Sequence, residues 1–277
     1  VKQFFLAAIM AAQSFMPPAW AQSLLSRPPL SFASLDAYSQ RSRDAFSFSR
    51  NPASLPGLDK SVAGIYAERR FMMEESGLYV MSFATPTSLG HFGAEFSYAG
   101  FSLYHEQSIS VAYARSLGRK IQSGLRFQYH GYSISGYGGA GTVSGEIGIL
   151  IRPGPSWTVG FSAMNQVGSH AGQKETDWPN AVLSWGLGAD VSEQLYAMVE
   201  ARKEANRPVV ITSGIQYMIQ RQFFLKAGFQ SASGTGFAGA GFVSRKYRID
   251  ITGSYHPWLG FSPAISYQLM GKRQGHA

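Results

Sequence analysis

The side chains able to do chemistry are few, and their spacing is unhelpful for catalysis. The six histidines are His91, His105, His130, His170, His256 and His276. None stands two or four residues from another, so no strand or helix presents a local pair of metal ligands. His130 and Ser133 are three apart, which on a strand puts imidazole and hydroxyl on opposite faces, away from nucleophile–base reach. Glu74 and Glu75 are adjacent carboxylates in a connecting segment and read as solvated charge. The glycine run from Gly136 to Gly141 is followed by no helix that could complete a phosphate cradle. Cysteine is absent, which excludes disulfides, zinc–thiolate sites and iron–sulfur clusters. The expectation is a protein with no catalytic residues, no metal and no cofactor. The ionisable residues that do carry a pattern are Glu95, Arg126, Glu146, Glu200, Arg202, Lys226, Arg248 and Asp250, each placed within an alternating apolar–polar segment.

Those segments define the architecture. Tyr247, Ile249, Ile251 and Tyr255 alternate with Arg248, Asp250, Thr252 and Ser254. Phe92, Ala94, Phe96 and Tyr98 alternate with Gly93, Glu95, Ser97 and Ala99. The same period recurs at Leu125–Tyr129, Ile147–Ile151, Trp157–Phe161, Leu183–Leu187, Ile211–Tyr217 and Phe223–Phe229. Period two is the mark of a strand with one greasy and one wet face. One face carries Phe, Tyr, Trp, Ile and Leu, while the other is rich in glycine and serine with sparse charges. Charged residues are only 14% of the 277, against about 25% in a typical soluble domain. An apolar outside around a polar inside suits a bilayer, in which a closed sheet also leaves no unpaired edge. The fold expected is all-β: a single transmembrane antiparallel barrel of about fourteen strands over residues 61–272, in the bacterial outer membrane.

Turn residues at 87–90, 117–120, 152–156, 190–194, 219–222 and 244–247 mark one end of the barrel. Longer connections are expected at 99–107, 132–141 and 165–180 on the other. Tyr79, Tyr98, Trp157, Trp185 and Tyr255 are candidates for interfacial aromatic belts. The net charge is +8, but the basic residues are scattered and form no stripe, so nucleic acid is not an expected partner. Outer-membrane lipid is.

The N-terminal region does not alternate. Residues 1–21 carry Lys2, an apolar run from Phe4 to Ala12, a Pro17–Pro18 break and a small-x-small site at Ala19–Ala21, and read as an export signal cleaved after Ala21. Residues 22–60 mix Asp36, Arg41, Arg43, Asp44 and Arg50 with Phe32, Tyr38, Phe46 and Phe48. Such a segment either trails into the periplasm or folds back into the lumen, where its charges would meet those of the wall. Residues 273–277 form a polar tail.

Asp44-Ala45 followed by Asn51-Pro52-Ala53-Ser54-Leu55 resembles the FadL superfamily of outer-membrane barrels, and more narrowly its PorV-type members from Bacteroidota. His256-Pro257-Trp258-Leu259-Gly260 looks like the last outer loop of such proteins. The resemblance implies fourteen strands behind an N-terminal hatch, with Asp44, Ala45, Asn51, Pro52 and Ala53 as hatch residues. It also implies a non-enzymatic role as partner or scaffold in protein secretion (type IX) or surface assembly, with secretion proteins as partners. The alternative it offers is transport of fatty acids or other hydrophobic ligands, with Phe46, Phe48 and Leu55 lining a pocket. General diffusion through an open bore is a weaker third.

Overall fold

The structure is a computed structural model and describes residues 32–168, 181–205 and 207–273. The export signal, most of the 165–180 connection and the last four residues lie outside them. Fourteen strands follow one another: β1 (Lys60–Arg69), β2 (Gly77–Thr87), β3 (Gly90–Gly100), β4 (Tyr104–Leu117), β5 (Ile121–Ile134), β6 (Gly138–Ile151) and β7 (Trp157–Gly168). The second half comprises β8 (Val182–Asp190), β9 (Leu195–Glu204), β10 (Val210–Ile219), β11 (Phe223–Gln230), β12 (Thr235–Val243), β13 (Tyr247–His256) and β14 (Gly260–Arg273). Each pairs antiparallel with its neighbours in sequence, and β1 pairs with β14, closing the barrel. No helix among the described residues is long and apolar enough to cross a membrane.

The ends of the strands differ in detail from the sequence expectation. The six tight turns fall where the turn residues put them. The longer connections do not: β3 and β4 continue through most of 99–107, and β5 and β6 through most of 132–141. Only 101–103 and 135–137 remain as loops there. The glycine-rich sequence hid strand, because paired backbone needs no large side chain to hold the ladder hydrogen bonds. The six tight turns lie at one end of the barrel, the turn end, and these loops at the other, the loop end.

Burial along the strands alternates with the sequence. Ile109, Val111, Leu125, Phe127, Ile147, Ile215, Leu225 and Ile251 are all exposed on the outer wall. Exposed large apolar residues occur on thirteen of the fourteen strands, and β12 turns Ala238 and Ala240 outward between them. A monomer in water rarely exposes a contiguous apolar patch beyond a few hundred Å², so a belt of this extent has to meet hydrocarbon. Most strand serines and the charged residues Glu95, Arg126, Glu146, Glu200, Arg202, Lys226, Arg248 and Asp250 are buried on the inner face instead.

Apolar burial therefore occurs at the axis, on the N-terminal segment. Residues 32–58 run through the lumen as short helical turns, Leu35–Tyr38, Ser47–Arg50 and Pro52–Gly57. Phe46 meets Tyr66, Leu78 and Val80. Leu35 and Tyr38 meet Leu150, Tyr196, Met198 and Phe237. Phe48 and Leu55 meet Val62, Ala84, Ala112 and Ala114. The side chains of Tyr38, Phe46, Phe48, Leu35 and Leu55 are fully buried. A substitution on the lipid face tests the inside-out arrangement: Phe127→Arg is expected to cost about 2–4 kcal/mol near the bilayer midplane, read by urea unfolding in lipid vesicles. Phe127→Leu should be close to neutral in the same measurement.

Candidate functional site

The site is the contact between the N-terminal segment and the inner wall. Its seat is built from glycines. Gly160 of β7 pairs with Gly186 of β8, and Gly186 with Glu200 of β9. A Cβ on Gly160 or Gly186 would overlap the Tyr38 ring, and one on Gly188 would overlap the Tyr38 backbone. The ring lies across this glycine row, and its hydroxyl donates to Glu200 Oε2 at the next strand, 2.6 Å away. Gly124 and Gly148 give the same clearance to Pro52 and Asn51.

Charge then locks the segment at two places on the wall, β9 and β13. At the first Arg50 donates to Glu200 at 2.8 Å and through Nε to the Ser34 carbonyl at 3.1 Å. Ser49 donates to Glu95. Beside them Arg126 of β5 holds Glu146 of β6, its direct cross-strand partner, with Nε–Oε2 2.9 Å, and Arg202 lies 3.4 Å from Glu204. Arg50, Arg126, Glu146, Glu200 and Arg202 surround a cavity of only about 20 Å³, room for about one water. At the second Arg248 donates to Asp36 at 2.6 Å and to Asp250 at 3.0 Å, over the ring of Phe224. Lys226 reaches Asp250 from β11 at 3.4 Å. It crosses β12, whose inward Gly239 and Gly241 leave the path clear.

Polar contacts complete the circuit. Ser39 donates to Asp190 at 2.7 Å. Ala45 is held twice: its N–H donates to Gln268 of β14 at 3.0 Å, and its carbonyl accepts from Ser82 of β2 at 2.6 Å. Asn51 accepts from the Ala53 N–H at 3.0 Å and donates to the Phe161 carbonyl at 3.2 Å. This caps the turn that Pro52 opens with its fixed φ. Asp44 accepts from Ser47 at 2.7 Å and from the Phe46 N–H at 3.1 Å. Its other oxygen is buried without a hydrogen-bond partner. Burial raises the Asp44 carboxyl to about 6, with Arg248 pulling the other way. Burial likewise lowers the Arg43 guanidinium to about 10.

All eight inward charges singled out in the sequence are buried on the lumen face, and six of them enter the two clusters as ion-pair partners of one another or of the segment. Glu95 is bonded to Ser49 and Arg202 to Glu204. The partners they meet were not legible beforehand. Asp36, Tyr38 and Arg50 lie in a segment without periodicity; the signal that marks their seat is the set of three inward glycines at 160, 186 and 188, which leaves room for a bulky side chain. Glu106, buried between Tyr104 at 2.5 Å and His130 at 3.6 Å, was also missed. Among the described residues no group of three or more His, Cys, Asp or Glu could hold a metal ion.

Neither a protein-family model nor a curated protein matches the sequence. Solved structures do match the fold. The TodX monoaromatic hydrocarbon channel of Pseudomonas putida, as a deltaS2 mutant, is similar at TM-score 0.60 and 10% identity, covering 89% of this chain and 99% of that one. Omp33 of Acinetobacter baumannii is similar at TM-score 0.53 and 6% identity, covering 76% and 98%. A FadL homologue of Pseudomonas aeruginosa is similar at TM-score 0.50 and 10% identity, covering 86% and 96%. The chain is thus an integral β-barrel of the bacterial outer membrane, similar in fold to channels and transporters.

Two outcomes test the lock. Arg248→Met removes a partner from both Asp36 and Asp250, and breaking a buried pair this way costs about 3–5 kcal/mol. Amide exchange over residues 32–58 is expected to accelerate sharply while the strands stay protected. The second concerns Asp44. A carboxyl raised on docking, from 3.8 to about 6, stabilises the docked segment most at low pH, and that contribution is lost as pH rises through about 6. Protection of the segment should therefore increase between pH 7 and pH 5, and Asp44→Asn should flatten the change.

Proposed function

We propose that the N-terminal segment is a fixed hatch, and that the protein acts through its outer surface as a partner or scaffold in protein secretion or surface assembly. The observation that carries this reading is the filled lumen. The segment is bonded to strands β2, β3, β8, β9, β13 and β14. The cavity beside it holds about one water. Phe46, Phe48 and Leu55, which an apolar solute pocket would use, are spent on packing against the wall. The strand pairs run in continuous register apart from one shift at Lys60/Val62, which supports a closed wall.

A second reading is favoured by the likeness to TodX and to the FadL homologue. In it the hatch moves and hydrophobic solutes pass. The two separate cleanly. Protein extracted from its native outer membrane in mild detergent is expected to carry stoichiometric envelope proteins and no enriched apolar molecule by mass spectrometry. A lone barrel carrying fatty acids or aromatic compounds would replace the scaffold by the transporter. In planar bilayers the wild type should show conductance near zero. Steady open channels would refute the fixed hatch.

A further inference from the structure

The glycine run that offered no phosphate cradle has a different surroundings in three dimensions. Strands β4, β5 and β6 are 14 residues each, where about 9–11 cross a bilayer. Their outward faces change character toward the loop end. Ile109, Tyr129 and Val143 form one row across the three strands, the last apolar one. The next row is Gln107, Gly131 and Gly141, and the one beyond it His105, Ser133 and Gly139. The wall thus turns from greasy to polar and bare at the height where hydrocarbon gives way to headgroups.

A groove of about 300 Å³ opens on this patch. Tyr129 borders it. Its ring lies over Gly131 and Gly141, about 3.3 Å from where a Cβ of Gly131 would stand, and it remains 48% exposed. His105 borders the other side and stacks on Tyr98, with centroids 5.6 Å apart and planes 22° from parallel. Gln107 and Ser133 supply an amide and a hydroxyl between them. None of the lining side chains is Lys, Arg, Asp or Glu. Glu106, next in sequence, points into the lumen and is buried.

We propose that this groove binds a neutral sugar ring, the ring stacking against Tyr129 and His105 while Gln107 and Ser133 hydrogen-bond its hydroxyls. An aromatic-edged, amide-bearing floor without Lys, Arg, Asp or Glu suits a polyol, which has an apolar face and a polar rim. It does not suit a phosphate, which would call for Arg or Lys. At this height the sugar is either that of an outer-leaflet glycolipid or a free saccharide.

Native mass spectrometry of the full-length protein in mild detergent tests the site with three probes: a neutral glycosyl diacylglycerol, the free oligosaccharide that forms its headgroup, and phosphatidylethanolamine. The wild type is expected to retain the glycolipid in preference to phosphatidylethanolamine. Gln107→Leu and Tyr129→Leu should each lower that occupancy about five- to tenfold, while Phe161→Leu, elsewhere on the wall, leaves it unchanged. His105→Ala serves if either variant fails to show the heat-modifiable migration of a folded barrel. Competition by the free oligosaccharide would support a sugar from either source. Loss in the variants without such competition would support a lipid-borne sugar. No retention of either sugar probe, equal retention of phosphatidylethanolamine, or unchanged occupancy in the variants would overturn the proposal.

Discussion

Charges enclosed in a lumen must find partners there. A buried guanidinium or carboxylate without a counter-charge is expensive enough to empty or rearrange the site. This barrel carries inward Glu200 at one place and Arg248 with Asp250 at another, and the N-terminal segment supplies Arg50 to the first and Asp36 to the second. The wall and the segment therefore complete each other. Removing the segment would leave Glu200 without that partner, and would expose the apolar faces of Leu78, Val80 and Leu150 that the segment covers.

The same arrangement sets the distribution of apolar surface. In a soluble domain the large side chains meet at the centre and the charges lie outside. Here the outer wall is apolar because lipid is its solvent, and the inner wall is small and polar because a chain segment has to fit within it. Glycine makes that possible. At 160, 186 and 188 it lets a tyrosine lie flat against the sheet, and at 124 and 148 it admits the Asn51–Pro52 turn. Any side chain at these places would push the segment away from the wall and break the hydrogen bonds that depend on contact, including Tyr38 to Glu200.

The fixed hatch proposed above directs attention to the outside, to the outer wall and the loop end. The groove on β4–β6 is placed there: it faces outward, lies above the last apolar row, and is lined without Lys, Arg, Asp or Glu. The likeness in fold to a hydrocarbon channel does not decide between passage and surface recognition, because one barrel architecture serves many functions and the site residues decide among them.

The sequence by itself determined the strands, their number, their inward and outward faces and the tight turns. These follow from local rules: side chains alternate with period two, and a membrane imposes apolar character on one face of every strand. It also determined which charges face inward, since Arg126, Lys226 and Arg248 stand on the glycine–serine face. What it left open was the extent of β3 to β6 beyond their apolar rows, because glycine pairs in a ladder without leaving a periodic trace. Only the tertiary structure decided which charges meet. Arg50 with Glu200 and Arg248 with Asp36 are separated by 150 and 212 residues. The segment that bridges them has no periodicity of its own, so its path is set by the shape and charge of a wall that exists only once the barrel has closed.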